Sequence, residues 1–153
     1  MVESGELIML MGEYRHNLDD KKRLTIPSKY REELGDKFVV TRGLDGCLFV
    51  YSFTEWDKIV NKLKTLPFTK KDARTLTRFL MSAASICEID KQGRINLVNS
   101  LISYAEIKKE CVIIGVNDRL EIWASEKYDN LLNSLGDLSN VAENLFDGGN
   151  VDA

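Results

Sequence analysis

Apolar and polar residues alternate over Glu13 to Leu18 and again over Ile86 to Asp90, the period of two that marks a strand with one face on a core. Each stretch turns through a segment of the form Asp-x-x-x-Arg into a second short strand, Leu24-Thr25-Ile26 in one case and Ile95-Asn96-Leu97 in the other. A short helix is predicted next, starting near Pro27-Ser28 or at Asn99, where Ser28 and Asn99 are good N-caps. Two more strands follow around the turn residues Gly43-Leu44-Asp45-Gly46 or Asn117-Asp118, and a helix closes each set, Thr54 to about Leu66 and Ser125 to about Leu135. On the first closing helix Trp56, Ile59, Val60 and Leu63 form an apolar face, with Lys58, Lys62 and Lys64 opposite. Pro67 breaks it, and Thr69 opens another helix to about Ala84 with Ala73, Leu76, Phe79, Leu80 and Ala83 apolar.

The parallel run of elements reflects a duplication. Asn17 to Ile26 aligns with Glu88 to Leu97 at an offset of 71, with Asp and Arg coinciding in both copies. Phe38-Val39-Val40-Thr41 matches Cys111-Val112-Ile113-Ile114 at 73, and Leu48-Phe49-Val50-Tyr51 matches Leu120-Glu121-Ile122-Trp123 at 72. Trp56 and Tyr128 also pair at 72, each after a Thr or Ser placed to cap a helix, and with Tyr51 and Trp123 they read as core aromatics. The expected organisation is a first repeat over 12–66, a helical connector over 67–84 without counterpart in the second copy, a second repeat over 85–135, and an acidic, partly mobile tail over 136–153 whose Gly148-Gly149 and last residues look unstructured. The fold class is α+β.

Charge at first argues against nucleic acid: 21 Lys and Arg stand against 24 Asp and Glu, a net charge of -3. Four of those acids, Asp137, Glu143, Asp147 and Asp152, fall in the tail, which has no Lys or Arg; without them 20 acids face 21 bases. The stretch Asp57 to Met81 holds seven bases (Lys58, Lys62, Lys64, Lys70, Lys71, Arg74, Arg78) against two acids, a composition that suits DNA, a solvated face or a subunit contact. For Arg74 the preferred reading is an ion pair at an interface between subunits or halves. The longest apolar run at the start, Leu7 to Met11, is far too short to span a bilayer, and the acidic opening is unlike a secretory signal, so a cytoplasmic protein is expected.

Three cysteines, Cys47, Cys87 and Cys111, lack metal or disulfide spacing, and Cys47 and Cys111 read as small core residues. The single histidine, His16, reads as a surface or hydrogen-bonded residue and leaves no His pair for a metal. Neither Walker A, Gly-x-Gly-x-x-Gly nor Gly-x-Ser-x-Gly is present, so no enzyme and no cofactor is expected. A carboxylate hydrolase built from Asp19, Asp20 or Asp90 is conceivable, but each Asp is followed by bases that suit an anion better than a sugar.

With 12 Asp and 8 Arg, about 0.6 Asp-x-x-x-Arg pairs arise by chance, so either one alone means little. Two at matching places in a repeat are specific. A turn carboxylate accepts backbone N–H groups, while the Arg four residues on presents its guanidinium to phosphate or a guanine edge. The competing reading for Arg23 and Arg94 is a structural ion pair with their own Asp19 and Asp90. Lys21, Lys22 and Lys91 flank the turns as phosphate contacts or as solvated lysines, and Arg15 lies one strand-length upstream on what could be the same face.

Gly12-Glu13-Tyr14, Leu18-Asp19 to Arg23-Leu24-Thr25-Ile26-Pro27, Thr41-Arg42-Gly43-Leu44-Asp45, Glu55-Trp56, Leu66-Pro67, Ala73-Arg74, Asp90-Lys91-Gln92-Gly93-Arg94-Ile95 and Glu121-Ile122-Trp123 resemble the MraZ family over roughly Met11 to Leu132. The family's usual start falls after the first ten residues. The resemblance implies a bacterial transcriptional regulator of the division and cell wall gene cluster that binds direct repeats in its own promoter. It implies two tandem swapped-hairpin, AbrB-like β-barrel halves with peripheral helices, and a ring-shaped homo-oligomer of eight or more subunits on double-stranded DNA at the nucleoid. The family motif falls on Asp19 and Arg23 and on Asp90 and Arg94, with Arg23 expected to carry the stronger DNA effect and the Asp residues shaping the loops. Lys22 stands where the family usually has Gly, and either alters the turn or adds a phosphate contact. An antitoxin-like module of the same fold, binding a protein partner through its tail, is the alternative.

Overall fold

A computed structural model describes residues 9–151. The chain runs β1 (Leu10–Asn17), β2 (Arg23–Thr25), α1 (Ser28–Leu34), β3 (Lys37–Arg42), β4 (Leu48–Ser52), α2 (Phe53–Lys64), α3 (Lys71–Ala83), β5 (Ser85–Glu88), β6 (Arg94–Asn96), α4 (Asn99–Ala105), β7 (Glu110–Asn117), β8 (Leu120–Ala124), α5 (Ser125–Asn133) and α6 (Leu138–Val151). All strand pairs are antiparallel, and the protein is α+β.

Only β3–β4 and β7–β8 pair within a half. The other pairs cross between halves: β1 with β7, β3 with β5, β4 with β8 and β2 with β6. The large sheet has the order β1-β7-β8-β4-β3-β5. Exchanging each strand for its repeat equivalent reverses this order and reproduces it, so a pseudo-twofold axis passes between β4 and β8. The register there, Leu48 opposite Ile122 and Val50 opposite Leu120, maps onto itself at the repeat offset.

Strict alternation on β4 sends Leu48 and Val50 to one side and Phe49 and Tyr51 to the other, and both sides are buried. On the first side these residues join Ile113, Leu120 and Ile122, Tyr30 of α1, Leu101 and Ala105 of α4, and Leu24, Ile26, Ile95 and Leu97 from around the β2–β6 ribbon. The second side gathers Cys47, Phe49, Tyr51, Val112 and Trp123 under Trp56 and Ile59 of α2 and Tyr128 of α5. Fully burying each large side chain is worth roughly 1.5–3 kcal/mol. Within this apolar layer the Glu121 carboxylate accepts from Trp123 Nε1 at 3.0 Å and Arg119 Nη2 at 2.8 Å, and Arg119 lies 4.5 Å above the Phe49 ring.

Several expectations change. Ser28, Asn99 and Ser125 are the first residues of their helices, and none of the three helices has a side-chain cap at its start; at α2 the cap is Ser52, accepting from Glu55 N, two residues earlier than Thr54. The strands flanking each Asp-x-x-x-Arg turn do not form a hairpin, because their hydrogen bonds go to the other half. In the tail the backbone is helical from Leu138 to Val151, through Gly148-Gly149, which composition suggested were unstructured. Leu138, Val141 and Leu145 fall at the i, i+3, i+7 spacing of one helical face. This helix follows α5 much as α3 follows α2, so the connector has a counterpart after all. The acidic opening, Leu7 and Ile8 of the Leu7 to Met11 run, and Asp152 lie outside the described residues.

Candidate nucleic-acid interface

Each turn is built around one carboxylate. In the first, Asp19 N donates to Arg23 O at 2.9 Å and Lys22 N to Asp19 O at 3.0 Å, while Asp19 Oδ1 accepts from Lys21 N at 2.9 Å and Arg23 N at 2.8 Å. The second repeats this with Asp90 N to Arg94 O at 2.9 Å, Gly93 N to Asp90 O at 3.0 Å, and Gln92 N and Arg94 N donating to Asp90 Oδ1 at 2.9 and 2.8 Å. The Arg23 N–H bond, helped by the Arg23 guanidinium and Lys21 N–H, holds Asp19 below the usual carboxylate range; Arg94 and Gln92 do the same for Asp90.

Both arginines spend only Nε on their aspartates: Arg23 Nε donates to Asp19 Oδ2 at 2.7 Å and Arg94 Nε to Asp90 Oδ2 at 2.9 Å. The ion pair is therefore compatible with an outward role, since the carboxylate orients the guanidinium and leaves the Nη edge available. The two edges are not equally available. Arg94 Nη2 donates to Gln92 Oε1 at 3.0 Å, whereas the equivalent position in the first turn is Lys21, which has no acceptor. Among the described residues the Arg23 Nη groups have no partner.

Pairing of β2 with β6 brings the two turns together. Leu24 sits opposite Ile95, both facing the core, so Arg23, Thr25, Arg94 and Asn96 alternate onto the outer face, with Arg23 opposite Asn96 and Thr25 opposite Arg94. The ribbon continues into the turns through Leu97 N to Lys22 O and Ile26 N to Gly93 O, each 2.9 Å. Arg94 Nη1 also lies 4.0 Å from Asp19 Oδ2 of the other turn. Arg23, Asp90, Arg94 and Asn96 line one cavity of about 260 Å³. Glu88 lines it too, and Lys21, Lys22 and Lys91 of the two turns are exposed.

Lys22 has φ 65° and Gly93 φ 81°, so Lys22 adopts the left-handed conformation and the first turn keeps the shape of the second. The positions differ in their surroundings. A Cβ on Gly93 would meet Arg31 Nη1 at 2.5 Å, whereas Lys22 is exposed. Arg31, Thr25 and Asn96 escaped the sequence reading; a period-two projection of the strand after each Arg finds the last two, but Arg31 reaches the site only through the packing of α1. Its Nε is buried without a partner among the described residues.

Arg15 is placed elsewhere. Its guanidinium donates to Asp129 Oδ1 of α5 at 2.8 Å and lies 3.6 Å from both Glu13 and Glu110, so its donors are taken by carboxylates outside the turns. Arg74 has no ion pair among the described residues; Nη1 donates to Phe68 O at 3.0 Å. Among those residues no helix is long and apolar enough to cross a membrane, and no three His, Cys, Asp or Glu groups converge as a metal site.

Fold and site together define a duplicated α+β protein whose halves bring two Asp-x-x-x-Arg turns onto one outward β-ribbon. A family profile described as "MraZ protein, putative antitoxin-like" matches the chain twice, over residues 9–79 and 80–148. The chain is 52% identical over 140 residues, 91% of its own length and 98% of the relative's, to a protein of Ligilactobacillus salivarius (strain UCC118) named Transcriptional regulator MraZ. The chain belongs to the MraZ family.

Proposed function

We propose that this protein is a DNA-binding transcriptional regulator without catalytic activity, and that the β2–β6 ribbon is its reading surface. The observation that carries this is the convergence of Arg23 and Arg94 on one outer face with each Nε held by an aspartate. A two-stranded ribbon matches the width of the major groove, Arg is suited to guanine O6 and N7, and Asn96 is suited to adenine. Lys21, Lys22 and Lys91 serve as phosphate contacts; Arg15 does not take part. The crossed strand pairs support a swapped-hairpin, AbrB-like barrel assembled from the two halves. We further assign it a cytoplasmic, nucleoid-associated role at direct repeats in its own promoter, heading the division and cell wall gene cluster. A ring of eight or more subunits sets many ribbons against successive repeats, so affinity arises from avidity.

Arg23→Ala is expected to abolish the electrophoretic shift of a promoter fragment while circular dichroism stays native. Unchanged affinity in that variant removes Arg23 from the interface. Binding also weakens steeply with salt, and a flat response would argue for a non-electrostatic mode.

The family description, antitoxin-like, supports a second reading, a module that binds a protein partner. A stoichiometric small protein recovered with the native chain, together with no promoter shift, would favour it.

A further inference from the structure

We propose that α6 of one copy docks in the cleft between α2 and α3 of the next. The inference rests on the reading of the protein as a homo-oligomer and supplies the contact that builds it.

The cleft has an apolar floor of Leu63, Leu66, Phe68, Ala73 and Leu76, and its two lobes, about 520 and 350 Å³, meet at Leu66 and Ala73. Phe68 is 80% exposed, a large cost for an aromatic ring left in water. Lys64, Lys70, Lys71, Arg74 and Arg78 line the same cleft, with Asp72 the single acid among its lining residues. The groove is therefore greasy below and basic along its walls.

The α6 helix is its complement. Leu138, Val141 and Leu145 share one face and are exposed, and Phe146 is 73% exposed beside them. Asp137 and Glu143 accompany them, and the chain holds no Lys or Arg after Lys127. Every described side chain of α6 faces solvent, so the helix has no packing partner among the described residues. An acidic helix with an apolar face and a basic, apolar-floored cleft match in both charge and hydrophobicity.

Geometry then sets the kind of assembly. The cleft belongs to the first half and α6 to the second, so contact between copies joins two different surfaces. Such a head-to-tail contact is heterologous and propagates, closing into a ring when the rotation permits. A lone α6–cleft contact within one chain would instead end the series.

Disulfide trapping in the full-length chain tests this. Leu76→Cys with Leu145→Cys places one thiol in the cleft and one on α6; Cys47, Cys87 and Cys111 are buried, and burial pushes Cys47 and Cys111 up to about 12, so they stay unreactive. Oxidation is expected to give a ladder of covalent oligomers with a 76–145 link in the mass spectrum. Leu145→Asp, at an exposed position, is expected to lower the mass measured by light scattering without altering the circular dichroism spectrum. If the wild-type chain is oligomeric but no ladder forms and Leu145→Asp keeps the full mass, the contact is wrong and the oligomer stands. An intramolecular 76–145 link alone also overturns it, placing α6 in its own cleft. A wild-type chain that is monomeric at all concentrations removes both the oligomer and the contact.

Discussion

Lys22→Gly is expected to raise stability, and Gly93→Lys to lower it by more. Holding a side-chain-bearing residue left-handed costs roughly 1–2 kcal/mol, and Lys22 is held there at φ 65°. Glycine relieves that strain but adds about 0.5–1 kcal/mol of unfolded-chain entropy. The balance is a gain of about 0.5–1 kcal/mol, which for a chain of this size is a rise in Tm of roughly 1–4 °C. Gly93→Lys reverses the balance and must also displace the Arg31 guanidinium, for a loss of about 1–2 kcal/mol and a fall of roughly 2–8 °C. Thermal unfolding followed by circular dichroism reads both. A lower Tm for Lys22→Gly refutes the reasoning, because the Lys22 side chain would then contribute more than its backbone costs. The same variant decides what Lys22 does to DNA: if it contacts a phosphate, the slope of log affinity against log salt falls by about 0.9, and otherwise the slope is unchanged.

Fluorescence anisotropy on a labelled promoter fragment is expected to rank Arg23→Ala above Arg94→Ala in lost affinity, since Arg94 already donates to Gln92; an inverted order would contradict the geometry. The backbone N–H and guanidinium bonds hold Asp19 and Asp90 below the usual carboxylate range, so their contribution to stability is present above that range and is lost as pH falls through the lowered folded values. The difference in Tm between wild type and Asp19→Asn/Asp90→Asn is therefore expected to shrink as the pH is lowered below about 4, and a gap that is constant with pH would refute the link. Glu121→Ala leaves Arg119 and Trp123 Nε1 without their acceptor inside the second apolar layer and is expected to cost about 2–4 kcal/mol in urea unfolding; a cost under about 0.5 kcal/mol would mean that water replaces the carboxylate.

Local pattern carried the elements well. Period-two alternation placed β1 and β5, turn residues placed the β3–β4 and β7–β8 connections, and helical spacing placed α2 and α3. What the pattern could not convey is which strand pairs with which: the alternation of Leu24 or Ile95 is the same whatever lies alongside, so it does not reveal that β1 pairs with β7 and β2 with β6. The site was legible in part for the same reason. Asp19, Arg23, Asp90 and Arg94 stood out by recurrence, but their meeting on one face depends on the β2–β6 pairing. Arg15 looked suitable by its distance along the chain and was drawn away by Asp129, more than a hundred residues later. Glu121 gave no signal, because a lone Glu in an apolar strand looks the same whether it faces water or a partly buried Arg.

The crossing of strands between halves also governs how the chain comes to be folded. The partner of β1 ends at Asn117, so at about 5–20 residues per second the first strand leaves the ribosome several seconds before anything it can pair with. Until then β3–β4 is an isolated two-stranded ribbon with both edges open, marginal on its own. Two separate half-length chains would have to find each other by diffusion, at a rate set by their concentration. Here α2 and α3 tether the halves, and the encounter becomes first order at an effective concentration in the millimolar range. Dilution, which can dissociate an assembly of copies, cannot separate these two halves.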